Sequence, residues 1–272
     1  MSDNAKLAYL LGAIYGDGCF IKDGKLAFGS TDKEFTEQIS NIVRELFNIE
    51  LNIRKIKLSL KNPNWKDFFE FRSRRLFKLL SEFNPKSTTT IVPDFIENGN
   101  LEVKSAFLRG YFDAEGNVNL STIKRKDRGI SETSRRVRCY SNDIPMLKKI
   151  SNLLNQLGIK SSIFRGKKEN FYVCIWNYQS IKKFYEMVGF VIKRKQAALI
   201  SILNSYKEIQ TRWDTDTYLT VMKLRDKEMI GSKRIKDRLS LKGINIPQPT
   251  IEAWIYKRYK ISEKQGGINN GK

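Results

Sequence analysis

Apolar residues recur at helical spacing in several stretches of this chain, and between these stretches polar and apolar residues alternate as in strands. Residues 33–47 carry one apolar stripe, from Phe35 to Phe47, that predicts an amphipathic helix. The polar turn over residues 22–25 predicts a hairpin. The elements predicted for the first part of the chain are a helix over 5–16, strands over 19–21 and 26–28, a helix over 33–47, strands near 51–59 and 67–72, and a helix near 75–82.

The same order of elements, αββαββα, follows in the second part of the chain. Its predicted elements are a helix over 103–114, strands near 117–123 and 136–141, a helix over 144–157, strands near 160–165 and 171–177, and a helix over 179–188. A repeat with so long a period predicts two similar lobes rather than a solenoid. We expect a first subdomain over residues 1–95 and a second over 96–208. Alternation leaves one face of each antiparallel sheet for solvent or for a ligand, and two such faces side by side form a saddle.

The pattern changes after residue 208, where a small all-α module is expected over residues 209–272. Its helices are predicted near 217–229, 232–242 and 249–259. The last two resemble a helix-turn-helix, with residues 250–258 as the recognition helix. A three-helix packing module with a basic exterior is the alternative. The expected fold class is therefore α+β, with duplicated αββαββα units, two antiparallel sheets and an all-α module.

A nine-residue motif occurs twice, over residues 10–18 and again 98 positions later over residues 108–116. Each copy is an apolar helical run that ends in a carboxylate followed by glycine. Small residues at i and i+4 let two such helices approach closely and pack face to face. The small positions are Gly12, Gly16, Gly110 and Ala114. The same packing is expected to bring Asp17 and Glu115 together at the end of the helix pair.

The net charge of the chain indicates which class of molecule it binds. The chain has 50 Lys and Arg residues against 29 Asp and Glu, a formal net charge of +21 and no histidine. Such a charge favours nucleic acid as the partner, with an ordinary solvated surface as the alternative. The lack of histidine excludes Ser-His-Asp and Cys-His catalysis and mixed Cys/His zinc sites. A metal therefore needs oxygen ligands, which favours Mg²⁺ or Mn²⁺, and paired acids in a basic protein indicate metal-dependent chemistry on phosphate chains.

Cysteine usage and hydropathy indicate an intracellular protein that is not secreted. The three cysteines, Cys19, Cys139 and Cys174, show no paired short spacing, so we interpret them as reduced thiols. No stretch approaches the roughly 18 apolar residues that a membrane span needs. The sequence that begins at Met1 does not read as a secretory signal. We therefore expect no membrane partner.

The two motif copies, their spacing and the duplicated order of elements resemble the single-chain, two-motif LAGLIDADG homing endonucleases. The resemblance covers residues 5–205 and implies two antiparallel sheets lying in the major groove of duplex DNA, with divalent-metal-dependent cleavage of both strands. By this resemblance Asp17 and Glu115 are catalytic metal ligands. The alternative is that each acid only ends its helix, with Gly18 or Gly116 as the C-cap. An acid at that position opposes the helix dipole, so capping alone gives no reason for it.

The family also places a basic residue beside the active site. By resemblance that role falls to Lys193, in the basic segment 193–197, and in the first unit to Lys86. A lysine there would orient the attacking water or stabilise charge on the phosphorane. A solvated or phosphate-contacting Lys86 is the alternative.

Two further pairs of equivalent positions flank the predicted site. Ser30 and Ser141 stand at the ends of corresponding strands and are expected to position water. Tyr15 and Asp113 share one position of the motif but differ in character. No catalytic role is therefore assigned to either of them, and both are interpreted as helix-interface residues.

Basic side chains of the two predicted sheets are the expected contacts to DNA bases. They are Lys22, Lys25, Arg54, Lys57, Arg72, Arg138 and Arg165. The polar and basic segment over residues 124–136 predicts a long loop that wraps phosphate backbone, with an ordinary solvated loop as the alternative. Its basic residues are Lys124, Arg125, Lys126, Arg128, Arg135 and Arg136.

Two classes of function fit these features. The first is a monomeric, site-specific endonuclease that hydrolyses both strands of a long DNA site and is encoded in a mobile intron or a free-standing gene. The alternative is a non-cleaving protein of the same fold, either a maturase that binds intron RNA or a transcription regulator. Retention of both carboxylates favours cleavage, whereas a helix-turn-helix favours a regulator. A self-splicing intein is not expected, because the sequence lacks histidine and flanking Cys/Ser-rich segments and begins with the endonuclease unit.

Overall fold

The chain folds into two compact units. The computed structural model describes residues 1–21, 25–59, 62–83, 91–125, 130–166, 170–206, 208–209, 215–256 and 260–261. The first unit comprises Met1–Trp176 and Ser180–Ile202, and the second comprises Asn177–Gln179 and Leu203–Lys272. Both predicted αββαββα repeats lie in the first unit.

The first repeat has the predicted order of elements. It consists of α1 (Asp3–Gly16), β1 (Cys19–Ile21), β2 (Lys25–Ser30), α2 (Lys33–Phe47), β3 (Arg54–Ser59), β4 (Asn62–Arg72) and α3 (Arg74–Phe83). Its four strands form an antiparallel sheet in the order β1-β2-β4-β3. The α+β class and the first half of the duplication are thereby confirmed.

The second repeat follows a short helix, α4 (Asp94–Glu97). It consists of α5 (Leu101–Glu115), β5 (Gly116–Arg125), β6 (Ile130–Ser141), α6 (Ile144–Gln156), β7 (Ser162–Arg165), β8 (Phe171–Ile175) and α7 (Tyr178–Met187), followed by α8 (Lys193–Asn204). The antiparallel sheet has the order β5-β6-β8-β7, which matches that of the first repeat. The sequence did not predict α8, because one of its buried positions is Lys195 and a lysine interrupts the apolar stripe.

Each sheet has a face toward a helix and an outer face. In the first sheet Phe28 and Phe69 are buried on the face toward α2, where Thr36 Oγ1 of α2 donates to Asp67 Oδ2 over 3.3 Å. In the second sheet Val137 and Val173 are buried in the same way. Because side chains alternate along a strand, the intervening residues lie on the outer face. The outer face includes Lys25, Arg54, Lys66, Phe68, Glu70 and Arg72 in the first sheet, and Arg136, Arg138, Tyr140, Phe164 and Tyr172 in the second.

The segment predicted as a long loop over residues 124–136 is largely a β-hairpin. The pairing of β5 and β6 runs from Gly116 opposite Cys139 to Arg125 opposite Ile130. Only residues 126–129 between them lie outside the described residues. Lys124 and Arg125 are therefore strand residues of β5, and Arg135 and Arg136 are strand residues of β6. The prediction was wrong because it followed the basic composition and neglected the β-branched residues of the same segment, which favour strands.

In its described part, the second unit forms one small core from three helices. They are α9 (Thr215–Glu228), α10 (Ser232–Leu241) and α11 (Gln248–Ile255). The core residues are Val221, Ile235, Leu239, Ile246, Ile251 and Trp254. The unit also has a parallel pair of two-residue strands, β9 (Glu208–Ile209) and β10 (Lys260–Ile261), which an all-α prediction did not include because so short a pair has no periodicity.

The predicted recognition helix over residues 250–258 is shorter in the structure. Helix α11 ends at Ile255 with Tyr256 as its C-cap, and residues 257–259 lie outside the described residues. The turn before it contains Gly243 with φ of 75°, a left-handed conformation that favours glycine. Among the helices described, none combines the length and apolar character required to cross a membrane.

Candidate active site

The two motif helices, α1 and α5, pack through glycines that leave no room for a side chain. A Cβ atom added at Gly12 would lie 2.1 Å from the Phe107 carbonyl oxygen, and one added at Gly110 would lie 2.1 Å from the Tyr9 carbonyl oxygen. A shift of 98 positions converts the first contact into the second. The helix pair is therefore pseudo-twofold symmetric at this contact, and any larger residue at either glycine would force the helices apart.

The same packing brings the two motif carboxylates to one end of the helix pair. A Cβ atom added at Gly16 would lie 2.3 Å from Ala114 Cβ and 3.2 Å from Glu115 Cγ. Asp17 directly follows Gly16, so its backbone is next to the Glu115 side chain. Asp17 is exposed and Glu115 is half-buried. Each repeat therefore contributes one carboxylate to the same edge of the interface.

Gly18 and Gly116, which follow these acids, are close-approach positions rather than left-handed helix caps. A Cβ atom added at Gly18 would lie 2.9 Å from the Ile14 carbonyl oxygen, and one at Gly116 would lie 2.2 Å from the Phe112 carbonyl oxygen. Gly116 has φ of −78°, and Gly18 is not among the described residues with positive φ. Close approach of the backbone explains the two glycines, but it does not explain why an acid precedes each of them.

Lys195, which the sequence interpretation missed, lies at the end of α5. Its Nζ donates to the carbonyl oxygens of Asp113 (2.5 Å), Phe112 (3.2 Å) and Ala114 (3.4 Å). These are carbonyl groups of the last turn of α5, where the helix dipole is negative. The ammonium group therefore neutralises the helix end that carries Glu115. A sequence signal existed, because Lys195 is four residues before Leu199 on the buried side of α8.

Asp113 makes the reciprocal contact with the start of α8. Its carboxylate accepts the backbone N–H groups of Val191 (3.1 Å) and Ile192 (3.4 Å), and the Tyr9 hydroxyl donates to it over 2.9 Å. An acid at a helix N-terminus and a lysine at a helix C-terminus both compensate helix dipoles. We call this arrangement of Asp113 and Lys195 the reciprocal cap. It fixes the end of α5 immediately before Glu115.

Burial perturbs both charged groups of the reciprocal cap. Burial raises the pKa of Asp113 to about 6, against the opposing effects of the hydrogen bonds from Tyr9, Val191 and Ile192. Burial lowers the pKa of Lys195, against the opposing effect of Asp113 and, more weakly, that of Asp17. Lys195, which contacts the motif helix of the second repeat, thus also interacts electrostatically with Asp17, the motif carboxylate of the first repeat. A buried lysine with a lowered pKa beside two acids is typical of a functional site.

The lysine predicted for this role, Lys193, lies elsewhere. Its side chain is 84% exposed and its Nζ is 3.9 Å from Glu34 of α2. The neighbouring Arg194 makes a bidentate ion pair with Asp32, with both N–O distances 2.6 Å. The first turn of α8 thus contacts both repeats, and the structure brings Lys195 rather than Lys193 to the end of α5. Lys86, the predicted counterpart in the first repeat, lies outside the described residues.

Two of the remaining predicted positions serve local structure. Ser30 Oγ accepts the N–H of Asp32 over 3.1 Å, and Ser141 Oγ accepts the N–H of Asp143 over 3.0 Å. Both serines therefore shape the turn before a helix. Tyr15, the motif equivalent of Asp113, donates its hydroxyl to the Ile91 carbonyl oxygen over 2.9 Å. This hydrogen bond links α1 to the segment before α4.

The predicted DNA contacts are divided between the two faces of the sheets. Those on the outer faces are Lys25, Arg54, Arg72, Arg136 and Arg138. Those that alternate to the helix-facing side are Lys57, Arg135 and Arg165. Lys57 lies 5.6 Å from the Trp65 ring, so a cation–π contact holds it. Lys22, Lys126 and Arg128 lie outside the described residues.

The donor set at the end of the helix pair fits a hard divalent cation. Asp17 and Glu115 supply carboxylate oxygens, the ligand type that Mg²⁺ prefers. Within the described ranges no group of three or more His, Cys, Asp or Glu side chains could enclose a metal. Mg²⁺ is commonly held by one or two carboxylates together with water and substrate phosphates, so two acids suffice for binding at a phosphate.

Comparison with known families agrees with this architecture. The family model of the LAGLIDADG-like domain matches the chain twice, over residues 4–91 and 102–189. The two matches correspond to the two αββαββα repeats. The chain belongs to the family of LAGLIDADG-like domains.

The relatives include large proteins of unrelated function. The glutamine–fructose-6-phosphate aminotransferase of Methanocaldococcus jannaschii is 28% identical over 243 residues, which are 85% of this chain and 20% of that protein. The RNA polymerase subunit Rpo1C of the same organism is 29% identical over 272 residues, 97% of this chain and 27% of that subunit. An uncharacterized protein of this organism is 27% identical and covers 75% of this chain and 74% of its own length. The chain thus spans about a fifth to a quarter of the first two relatives.

A solved structure shares the fold. The homing endonuclease I-WcaI, bound to its DNA recognition sequence, superimposes with a TM-score of 0.54 and 20% sequence identity. The match covers 71% of this chain and 86% of that chain. At this identity the similarity shows the fold alone, which is the duplicated α+β architecture described above.

Proposed function

We propose that this protein is a site-specific DNA endonuclease that hydrolyses phosphodiesters in both strands with Mg²⁺ or Mn²⁺. The observation that carries the proposal is the pair of carboxylates, Asp17 and Glu115, which reach the same end of a pseudo-twofold helix pair from equivalent positions. The two strands of a duplex are also related by a twofold axis. One carboxylate from each repeat is therefore positioned to act on one DNA strand. A single chain supplies both carboxylates, so the protein acts as a monomer.

Charge supports the choice of substrate. The net charge is +21, and the outer faces of both sheets present arginines, among them Arg54, Arg72 and Arg136. Neutralising DNA phosphates releases counterions and stabilises the complex. The fold that this chain shares with a DNA-bound homing endonuclease supports the same interpretation.

The residues of the site have separate tasks in this proposal. Asp17 and Glu115 would hold the divalent ion, which when bound supplies charge stabilisation and lowers the pKa of water. Lys195 neutralises the carbonyl end of α5 so that Glu115 does not face an unbalanced helix dipole. Asp113 holds Lys195 and the start of α8 in place. The reciprocal cap thereby positions Glu115 rather than touching substrate.

The relatives support a module that acts independently of its surroundings. Similar segments occupy about a fifth of an aminotransferase and about a quarter of a polymerase subunit, whose names describe unrelated activities. A segment common to both contributes neither activity. A self-contained endonuclease of a mobile element would have this distribution.

The second unit is proposed as an additional DNA contact that lengthens the site. Helix α10 exposes Lys233, Arg234 and Lys236, whereas Glu252 of α11 is engaged with Ser232 over 3.1 Å. Helix α10 is therefore the more suitable phosphate contact. Replacing its three exposed cations with glutamine should lower the slope of log K against log salt by about 3. Replacing the two exposed lysines of α9, Lys223 and Lys227, serves as the control. An unchanged slope would contradict a DNA role for α10.

The proposal is tested by incubating the protein with a duplex DNA library in Mg²⁺ and in EDTA. We expect discrete double-strand breaks in Mg²⁺ that disappear in EDTA and with Asp17→Asn. The exposed Asp237 of α10 provides the control, since Asp237→Asn should cleave normally. Tight binding without cleavage in Mg²⁺ or Mn²⁺ would refute the endonuclease and favour the maturase or regulator, for which intron RNA would be the next ligand.

A further inference from the structure

Four aromatic side chains form one cluster on the outer face of the second sheet. The Phe164 ring stacks on Tyr172 at 5.7 Å and meets Trp176 edge-on at 5.9 Å, and Tyr140 lies 5.3 Å from Tyr172. We call Tyr140, Phe164, Tyr172 and Trp176 the aromatic cluster. Three strands contribute to it through direct cross-strand pairs, Phe164 with Tyr172 and Tyr172 with Tyr140, and Trp176 directly follows β8. The cluster is therefore held rigidly by the sheet.

The cluster exposes much of its apolar surface. Phe164 is 42% exposed and Trp176 is 43% exposed. The hydrophobic core does not need these rings, because Val173 and Ile175 fill the opposite face of β8 and are fully buried. A contiguous exposed apolar patch that the core does not require marks an interaction surface.

An arginine is fixed at the edge of the cluster. The Arg138 guanidinium lies 5.2 Å from the centre of the Tyr172 ring, and its Nη1 donates to the Tyr140 hydroxyl over 3.2 Å. Its guanidinium also interacts with the side chain of its cross-strand neighbour Cys174. The cluster therefore combines apolar ring edges with a preoriented cation, which suits a ligand that is anionic and has apolar groups.

The equivalent face of the first sheet has a different chemistry. Its outer face carries charged side chains, with Arg54 lying 3.6 Å from Glu70 and Lys25 directly opposite Arg72. Its one aromatic residue among those named above, Phe68, lies 5.1 Å beneath the Arg54 guanidinium. The two repeats thus share a fold, but the outer face of the first sheet is mainly charged, whereas that of the second combines arginines with the aromatic cluster.

These two surfaces suit different features of the major groove. Hydrogen-bonding side chains read the donors and acceptors of base edges, whereas apolar side chains contact the C5 methyl group that only thymine presents. The aromatic cluster is less suited to stacking on unpaired bases, because Phe164 and Tyr172 already stack on each other and Arg138 lies over Tyr172. The exposed ring edges are suited to methyl groups instead.

We infer that the half-site bound by the second sheet is read through thymine methyl groups packed against the aromatic cluster, while the other half-site is read by polar contacts. This inference rests on the proposed DNA-binding function and adds the basis of its sequence preference. It predicts a thymine-rich half-site on one side only.

The test uses duplexes selected from a library by binding to the wild-type protein in EDTA, so that no cleavage is needed. Thymine in one half-site at a time is replaced by uracil, which removes only the methyl group. We expect binding to weaken about fourfold for each contacted methyl in one half-site, the equivalent of about 0.8 kcal/mol per buried carbon group. Uracil in the other half-site should change affinity less than twofold.

Two variants assign the sensitive half-site to the aromatic cluster. Phe164→Ala, and independently Trp176→Ala, should lose most of the sensitivity to uracil, whereas the matched control Phe68→Ala in the first sheet should retain it. Both cluster residues are well exposed, and thermal unfolding verifies that each variant is folded. Uracil sensitivity that persists in both folded cluster variants would overturn the inference.

The outcomes separate this inference from the proposed function. A selected duplex that tolerates uracil in both half-sites would refute methyl recognition but leave DNA binding intact. Failure to select any duplex would refute the proposed function itself. Preferential binding of single-stranded DNA or RNA over the duplex would also contradict the inference, since it would indicate base stacking.

Discussion

The two motif helices occupy equivalent positions in the two repeats but are tied to the rest of the fold by different chemistry. In the first repeat the Tyr15 hydroxyl donates to the Ile91 carbonyl oxygen. In the second repeat the equivalent Asp113 accepts the N–H groups of Val191 and Ile192. Both contacts join a motif helix to the segment that follows the last helix of its repeat. The contact is thus at the same position in both repeats. It is made by a neutral hydroxyl donor in the first repeat and by a charged carboxylate acceptor in the second.

The difference extends to the helix ends. Lys195 neutralises the last carbonyl groups of α5, whereas the residue 98 positions earlier is Glu97, which pairs with Lys149 instead. Glu115 therefore follows a charged network at the end of α5, whereas Asp17 is exposed and the motif residue equivalent to Asp113 in its helix, Tyr15, makes a neutral hydrogen bond. Equivalent carboxylates can be expected to respond differently when their surroundings change. The following substitutions test that asymmetry.

The largest effect is expected at the carboxylates themselves. Asp17→Asn and Glu115→Gln should each reduce double-strand cleavage by about 100-fold or more, because each removes a ligand worth several kcal/mol of charge stabilisation. DNA affinity should stay within about tenfold, since neither acid docks the duplex. Single-turnover cleavage and equilibrium binding measure the two quantities. Retained cleavage by either variant would remove that acid from the mechanism.

The next largest effect is expected at Lys195. Lys195→Met removes the charged hydrogen bonds to the carbonyl groups that end α5, so unfolding free energy should fall by about 2–3 kcal/mol. The matched control, Lys193→Met, removes an exposed cation and should change stability by less than about 0.5 kcal/mol. Urea denaturation gives both values. Equal effects at the two positions would contradict the reciprocal cap.

The unfolding free energy should depend on pH through Asp113 of the second repeat. The folded pKa of Asp113 is about 6, above the unfolded value of about 3.9, so the folded state binds more protons between these pKa values. Stability should therefore fall by about 2–3 kcal/mol as pH rises from about 4 to about 6, and then level off. Asp113→Asn should lack this component. If the wild type and Asp113→Asn follow the same pH profile, Asp113 is not the titrating group.

The smallest effect is expected at the equivalent position of the first repeat. Tyr15→Phe removes one neutral hydrogen bond to Ile91 and should lower unfolding free energy by about 1 kcal/mol. Burial raises the pKa of the Tyr15 hydroxyl above its usual value, so the loss should be constant from pH 4 to pH 8. A pH-dependent loss measured by urea denaturation would show that the first repeat also has a charged link.

The sequence predicted the repeats because their signals are local. Two small residues four positions apart in each motif copy, Gly12 and Gly16 in the first and Gly110 and Ala114 in the second, specify close helix packing. The position of Asp17 and Glu115 follows from that packing. The amphipathic stripe of α2 likewise gave its bounds, residues 33–47, without the structure. Periodicity and small residues are properties of a single segment, so one sequence suffices to find them.

The reciprocal cap and the hairpin were missed because they depend on partners far along the chain. The spacing of Lys195 to Leu199 distinguishes it from Lys193, but only the packing of α8 against α5 places its ammonium group at the end of α5. The pairing of β5 with β6 likewise overrides a basic composition that is typical of a loop. Charged residues have weak local preferences, and tertiary contacts decide which of them is buried.

The central claim is that each repeat supplies one carboxylate for cleavage of duplex DNA. The most direct test is a strand-resolved time course on a selected duplex labelled at both ends, with the wild type in Mg²⁺, the wild type in EDTA and Asp17→Asn in Mg²⁺. The account predicts that the wild type cuts both strands in Mg²⁺ alone and that Asp17→Asn makes no double-strand break while still binding the duplex. Cleavage of both strands by Asp17→Asn, or a bound duplex that the wild type leaves intact in both Mg²⁺ and Mn²⁺, would contradict it.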